Sequence, residues 1–281
     1  YKNLQHFGSM KEVLIQVLHK EYDEDSEDTQ KLRKLLTFEI FKVRFREDPE
    51  FALLVTDKIE DKVSGEMIPF RLNYPQRRLI NLFEELRHKK KAIRVVILKA
   101  RQWGGSTLTQ LYIKWIQDFR HDGWNAIVLS QVKGTSKKIK AMYRKAVERQ
   151  KGWTIGHPGT QLRLSPYENS PDDFIVTDGN KALRRSTLTV ASFDNFDAVR
   201  GNNFHCAHYS EVAYWKKTPE HDPEGVISSI SGGIHNKEDN VEVFESTGRG
   251  TSGFFYDRCQ LAMDPSNNDA YAFIFIPCFI I

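Results

Sequence analysis

The segment Val95–Thr107 decides how the chain folds, and it reads VVILKARQWGGST. Its first four residues are apolar without alternation, which is typical of a central parallel strand covered on both faces. Two glycines follow, and apolar or aromatic residues then recur at helical spacing from Leu108 to Trp115. A strand, a tight turn and a helix in this order bring backbone N–H groups and a positive helix end to one point, which favours a bound phosphate.

The usual phosphate-binding loop, or P-loop, has the pattern G-x-x-x-x-G-K-[ST]. Laid over this segment, the pattern begins at Lys99, reaches its second glycine at Gly104 and ends at Ser106. Lys99 therefore stands in place of the first glycine, and Gly105 stands in place of the lysine. We interpret this as a loop in which Lys99 reaches the β- and γ-phosphates from the opposite end, with the Ser106 hydroxyl placed to ligate Mg²⁺. An ordinary strand-to-helix turn with a chance serine is the alternative.

The composition is that of a globular protein. The 281 residues suffice for one large α/β domain and an appendage, and 40% of them are hydrophobic and 28% charged. The net charge of +4 does not by itself indicate a nucleic-acid partner, but it leaves room for a local basic face. The three cysteines form no C-x-x-C pair, and no apolar run reaches the ~18 residues of a membrane helix. We therefore expect a protein of a reducing cytosol, without a disulfide framework, a zinc site or a membrane span.

Three regions are expected along the chain. Residues 1–9 are interpreted as a tag or linker remnant. Residues 10–69 are predicted to form a small N-terminal helical lobe and a hairpin that pairs Phe51–Ile59 with Met67–Leu72. Residues 70–281 are predicted to form the phosphate-binding domain.

The helix predicted at Thr135–Gln150 has the densest group of cations in the chain. Such a helix could follow the backbone of a DNA duplex through phosphate contacts. A solvated helix face is the alternative and needs no partner. The cations at and just before this helix are Lys133, Lys137, Lys138, Lys140, Arg144, Lys145 and Arg149.

Gln76 opens a predicted helix upstream of the P-loop. It follows Pro75, a residue that suits the start of a helix. A glutamine side chain has both a donor and an acceptor, so it can read the edge of an adenine. A surface glutamine without a partner is the alternative.

Two predicted strands end in polar residues, where the carboxyl ends of parallel strands face a ligand crevice. The strand Phe204–Tyr209 runs into Ser210 and Glu211, which resembles a Walker B element with serine in place of the aspartate. Glu211 is then the candidate for orienting the attacking water, and Ser210 for holding a magnesium-bound water. A later strand runs into Ser246 and Thr247, whose hydroxyls could sense the γ-phosphate. A plain glycine turn is the alternative there.

Four motifs now stand in order along the chain, at Asn73–Gln76, Lys99–Thr107, Tyr209–Ala213 and Glu245–Gly250. Together they resemble the ATPase domain of the large terminase subunit, the DNA-packaging motor of tailed bacteriophages, over roughly residues 70–276. The resemblance implies an ASCE/RecA-like P-loop NTPase, with a mostly parallel α/β sheet and helices on both faces. It also implies hydrolysis of ATP with Mg²⁺ to drive double-stranded DNA into a procapsid.

The resemblance assigns roles to matching residues. Glu211 is expected to be the catalytic glutamate, and Arg101 to act on the phosphates of its own subunit's ATP. Arg200 is expected to be the arginine finger given to a neighbouring subunit. Ser246 and Thr247 match the motif that couples hydrolysis to movement. The residues expected to surround the nucleotide are Gln76, Lys99, Arg101, Gln102, Trp103, Gly104, Gly105, Ser106 and Thr107.

The implied partners are double-stranded DNA, the portal protein, the small terminase subunit and further copies in a homo-oligomeric ring. We expect a pentamer at work and a monomer in isolation, located in the host cytoplasm at the procapsid portal. The chain ends on the apolar run Tyr271–Ile281, so the nuclease domain of large terminases is expected to be missing. A helicase-like ATPase and a non-hydrolysing DNA-binding or ring-assembly module with a degenerate site are the alternatives.

Overall fold

The computed structural model describes residues 39–61, 64–168, 170–194, 202–219, 222–266 and 270–280. The chain divides into two compact units between Glu47 and Asp48. In the first unit, residues 39–47 are helical. The segment predicted as a tag and the part of the predicted lobe up to residue 38 lie outside the described residues. The hairpin and the P-loop both belong to the second unit.

The second unit alternates strands and helices. Its helices are α1 (Pro49–Thr56), α2 (Tyr74–His88), α3 (Gly105–Trp115, continued by a π-helical turn, Ile116–Arg120), α4 (Lys133–Arg149), α5 (Pro223–Ser231) and α6 (Phe254–Met263). Its strands are β1 (Lys58–Glu60), β2 (Met67–Pro69), β3 (Ile93–Lys99), β4 (Ala126–Ser130), β5 (Arg163–Pro166), β6 (Asp173–Asp178), β7 (Lys181–Ser192), β8 (Cys206–Ser210), β9 (Val241–Ser246) and β10 (Ala272–Ile276). None of the helices described is both long and apolar enough to cross a membrane.

Eight of the strands form one sheet in the order β10-β3-β9-β8-β4-β7-β6-β5. All neighbours from β10 to β7 are parallel, whereas β6 and β5 extend one edge in antiparallel pairing. The predicted mostly parallel sheet is confirmed. Strand β9 lies between β3 and β8, so the P-loop strand and the strand that ends before Glu211 are separated by one strand.

Helices cover both faces of this sheet, as predicted. Tyr209 and Phe244 pack in one buried cluster with Val226 of α5 and Phe255 of α6. Successive side chains of a strand point to opposite faces. His208, the neighbour of Tyr209, accordingly contacts Gln110 of α3 on the other face. Both faces being covered explains why every residue of β4, β8 and β9 is buried.

The prediction of the first hairpin strand was wrong. Most of Phe51–Ile59 belongs to helix α1, and only Lys58–Glu60 pairs with Met67–Pro69. The physical reason lies just upstream, because the side chain of Asp48 accepts the N–H of Phe51 at 2.9 Å and a proline opens the helix. A capping aspartate followed by proline is a strong start signal, and it outweighs the apolar character that favoured a strand.

Candidate nucleotide-binding site

The ends of three neighbouring parallel strands bring Lys99, Glu245 and Glu211 together. Lys99 is the last residue of β3, Glu245 lies near the end of β9, and Glu211 follows β8 directly. The Lys99 Nζ atom lies 3.3 Å from Glu245 Oε2 and 3.6 Å from Glu211 Oε1. Burial works to lower the pKa of Lys99, but the two carboxylates outweigh it and raise that pKa above its ordinary value. The ammonium group is therefore charged and is held between two acids.

The loop between β3 and α3 is a tight left-handed turn. Gln102 and Gly104 have φ angles of 66° and 83°, so the chain turns within a few residues. The carbonyl of Gly104 accepts the N–H of Leu108 and thereby starts helix α3. Glu211 also has a positive φ, 57°, which is uncommon for a residue with a side chain. Such backbone strain concentrates at functional sites, and here it occurs in two neighbouring loops.

Trp103 explains why no lysine stands at position 105. A Cβ atom built on Gly105 would lie only 2.2 Å from Cζ2 of the Trp103 ring. The indole is buried, so it cannot simply move into solvent. The place from which an ordinary P-loop lysine extends is thus filled, and Lys99 is the lysine that approaches this loop from β3.

Gln76 ties the P-loop to helix α2. Its side-chain oxygen Oε1 accepts the backbone N–H of Asn73 at 3.0 Å, and its backbone N–H donates to Asn73 Oδ1 at 2.9 Å, so the two residues form a capping box. Its amide nitrogen donates to the carbonyl of Gly104 at 3.1 Å, and Asn73 Nδ2 donates to the carbonyl of Trp103 at 3.1 Å. The side-chain oxygen of Gln76 keeps one lone pair and its side-chain nitrogen keeps one hydrogen. Adenine recognition would use this remaining acceptor and donor.

Glu245 is the central acid of the site, although no motif in the sequence assigns it a role. Its side chain is fully buried, yet it accepts hydrogen bonds from the hydroxyls of Ser106 and Ser210, the latter at 3.2 Å. His208 Nε2 faces the same carboxylate oxygen at 3.0 Å. Burial alone would raise the pKa of Glu245, but Lys99, His208 and Ser106 outweigh it and hold that pKa well below the usual range. The carboxylate is therefore ionised.

The two hydroxyls predicted to couple hydrolysis to movement contact the turn after Glu211. Ser246 accepts the N–H of Ala213 at 3.2 Å, and the hydroxyl of Thr247 lies 3.2 Å from that of Tyr214. Hydrogen bonds from Thr247 and Arg101 lower the pKa of the Tyr214 phenol. These contacts join the end of β9 to the turn that follows Glu211.

A cavity of about 590 Å³ opens over the P-loop. It is lined by Gln76, Lys99, residues 102–107 and residues 59–61 of the hairpin. Its volume lies within the range of about 300–1,000 Å³ that is typical of ligand sites. Arg101 and Glu211 do not line it, and Arg200 lies outside the described residues.

The donors at the base of this cavity suit a hard cation. Serine hydroxyls and carboxylates are the oxygen ligands that Mg²⁺ prefers, and Mg²⁺ usually keeps several of its own waters. Over the part of the chain that is described, no three His, Cys, Asp or Glu side chains form a metal-binding cluster of their own. A cation here would therefore be held by Ser106, by waters and by a bound phosphate, and the carboxylate of Glu245 would contact it only through the Ser106 hydroxyl.

Comparisons with known proteins agree with this topology. The sequence matches no protein-family model, and no curated protein is significantly similar to it. Among solved structures, the large terminase of bacteriophage HK97 matches 82% of this chain with a TM-score of 0.61 at 13% identity. A large terminase of a thermophilic bacteriophage, solved in complex with ATP-γ-S, matches 74% with a TM-score of 0.51 at 12% identity. The chain spans 43% and 45% of these two proteins. The chain therefore shares the fold of these large terminases over most of its length.

Proposed function

We propose that this chain binds and hydrolyses ATP and that it uses the energy to move double-stranded DNA into a viral procapsid. The observation that carries the proposal is that Lys99 and Ser106 line the cavity over the P-loop and that Glu211 lies 3.6 Å from the Lys99 ammonium. A lysine for phosphate, a hydroxyl for a cation and a carboxylate for water are the parts that phosphoryl transfer requires. The likeness in fold to large terminases supports the same function.

Lys99 is proposed to change partners when ATP binds. Phosphate oxygens would compete with Glu211 for the ammonium, because the Lys99–Glu211 contact of 3.6 Å is the longer of the two ion pairs. Glu211, which is about one third exposed, would then be free to orient the attacking water. Lys99, the loop amides and Arg101 would stabilise charge on the γ-phosphate. Gln76 is proposed to contact the adenine with its remaining donor and acceptor.

Ser106 and, through a water, Ser210 are proposed to hold Mg²⁺, which would neutralise charge that develops on the β- and γ-phosphates. Ser246 and Thr247 would transmit the displacement of Glu211 through the turn that they contact.

An arginine supplied in trans is proposed to complete the site. Arg200 is the candidate, and such a residue raises phosphoryl-transfer rates by about 10³–10⁵. A ring of copies, expected to be a pentamer, with the portal protein and the small terminase subunit, would then be the working form. We expect the isolated chain to hydrolyse ATP slowly, with a specific activity that rises with protein concentration. A fast rate independent of concentration would remove this role.

The DNA-contacting surface is proposed to include the basic face of α4. Lys138, Lys145 and Arg149 line a second cavity of about 340 Å³ together with Lys58. Lys138 and Lys145 are exposed and lie two turns apart on the helix, so both can reach one phosphate backbone.

A single experiment tests the enzymatic part of the proposal. ATP turnover and ATP-γ-S binding are measured for the wild type and for Glu211→Gln, with Mg²⁺ present. We expect the variant to keep its affinity while its turnover falls by about 10²–10⁴-fold, the usual contribution of a general base. Turnover that survives in Glu211→Gln would contradict the assignment of this carboxylate.

A non-hydrolysing module is the second candidate, and one observation favours it. The charge of Lys99 is already matched by two carboxylates, so a phosphate must displace at least one of them. Calorimetry distinguishes the two, since such a module gives no heat of binding with ATP and Mg²⁺. Strand displacement on a partial duplex would instead favour a helicase.

A further inference from the structure

We propose that Glu245 supplies, from the neighbouring strand, the metal-site carboxylate that the Walker B position lacks at Ser210. The inference rests on the proposed binding of ATP with Mg²⁺ and names a residue that acts behind the ligands. Glu245 is a positioning residue in this account, because its side chain is fully buried and touches the cation site only through hydroxyl groups.

The strand register places the acid opposite the serine. Ser210 of β8 and Glu245 of β9 are direct cross-strand partners in a parallel pair. Their side chains meet, since Ser210 Oγ donates to Glu245 Oε1 at 3.2 Å. A carboxylate missing from one strand is thus present one strand closer to the P-loop, at the same level of the sheet.

Glu245 also determines which way two hydroxyls point. A serine hydroxyl has one hydrogen and two lone pairs. Ser106 and Ser210 both give their hydrogen to the same oxygen of Glu245. The lone pairs of Ser106 are then left for the cavity that this serine lines, which is the orientation a cation requires. Without Glu245 the hydroxyl could rotate and present its hydrogen instead.

The second carboxylate oxygen carries charge toward the site. Glu245 Oε2 is buried, and among the described residues it is paired with Lys99 Nζ at 3.3 Å. The ionised carboxylate therefore places negative charge directly behind the Ser106 hydroxyl, where it attracts a cation. A cation near Ser106 would share this negative charge with Lys99 and would thereby allow Lys99 to turn toward the phosphates.

The test compares nucleotide affinity in Mg²⁺ and in EDTA. ATP-γ-S binding is titrated calorimetrically for the wild type and for Glu245→Gln under both conditions. In the wild type Mg²⁺ should tighten binding. In Glu245→Gln this gain should fall by about 10–100-fold, the usual effect of residues that orient metal ligands. In EDTA the variant should bind as well as the wild type or better, because a negative charge near the phosphates is gone.

The different changes in affinity in Mg²⁺ and in EDTA distinguish this role from a structural one. A folding defect would weaken binding in both buffers, and that result, or an unchanged gain from Mg²⁺, would overturn the inference. Glu242→Gln is the matched control, since Glu242 is also a buried carboxylate of β9 but is bound to Ser231 and Arg94 instead. It should leave the gain from Mg²⁺ unchanged.

A swapped pair covers the case in which Glu245→Gln does not fold. Ser210→Asp combined with Glu245→Ser keeps one acid and one hydroxyl at this cross-strand pair. The double variant should recover most of the gain from Mg²⁺, whereas a folded double variant without that gain would overturn the inference. If the wild type itself binds no nucleotide in either buffer, the proposed function fails and the inference fails with it. Failure confined to the variants would leave the proposed function standing.

Discussion

Gly105→Ala is expected to destabilise the protein, because Trp103 occupies the space that any side chain at position 105 needs. A Cβ at Gly105 would lie 2.2 Å from Cζ2 of Trp103, whereas ordinary contact begins at 3.4 Å. The buried indole must shift by roughly 1 Å or the first turn of α3 must deform, and overpacking of this kind costs about 1–3 kcal/mol. In a chain of this size, that free energy corresponds to a melting temperature lower by about 2–12 °C.

Gly134→Ala is the matched control for this measurement. Gly134 also lies in the first turn of a helix, α4, and a Cβ there meets nothing within 4 Å. Its replacement should leave the stability unchanged or raise it by up to about 1 kcal/mol.

A double-mutant cycle isolates the contact with the ring. In a Trp103→Ala background the clash is absent, so adding Gly105→Ala should cost little, and the coupling energy should be about 1–3 kcal/mol. Differential scanning calorimetry of the single and double variants gives the four values. Two results would refute the clash. One is that Gly105→Ala and Gly134→Ala have the same melting temperature. The other is that Gly105→Ala costs the same free energy of unfolding with Trp103 present and with Trp103 replaced by alanine.

The double variant Lys99→Ala/Gly105→Lys is expected to bind ATP-γ-S no better in calorimetry than Lys99→Ala, because the indole fills the place of the new lysine; recovered binding would contradict this. Glu245 has a folded-state pKa below its unfolded value of about 4.3, so its stabilisation is complete above that pH and is lost as the pH falls. Urea unfolding of Glu245→Gln should therefore depend less steeply on pH below about 4, by up to about 1.4 kcal/mol per pH unit, and equal slopes would count against the ionised carboxylate. Changing both Lys138 and Lys145 to alanine should reduce the slope of log affinity for duplex DNA against log salt by about 1.8 in fluorescence anisotropy, and an unchanged slope would exclude both lysines from the interface.

Local signals in the sequence were sufficient for the centre of the fold. The apolar run before Lys99, the glycines after it and the helical spacing from Leu108 predicted β3, the turn and α3, and the structure has all three. The same kind of signal misled at Phe51, where the apolar pattern predicted a strand although the aspartate and proline before it start a helix.

Contacts between distant residues were not accessible in this way. The bond between Ser210 and Glu245 depends on β9 lying between β3 and β8, and nothing near either residue specifies that order. The overlap of Trp103 with position 105 depends on a backbone turn rather than on a residue pattern. The capping box at Gln76 was the exception, since an Asn followed three residues later by Gln is its sequence signature, which could have been recognised beside the nucleotide role.

Calorimetric titration of ATP-γ-S with Mg²⁺ into the wild type and into Lys99→Met tests most directly whether Lys99, at the start of the loop, binds the phosphates. Melting curves first establish that both proteins are folded. Loss of one charged phosphate contact is worth about 1.5–3 kcal/mol, so the affinity should fall by about 10–100-fold. Equal affinity in a folded Lys99→Met protein would contradict the account.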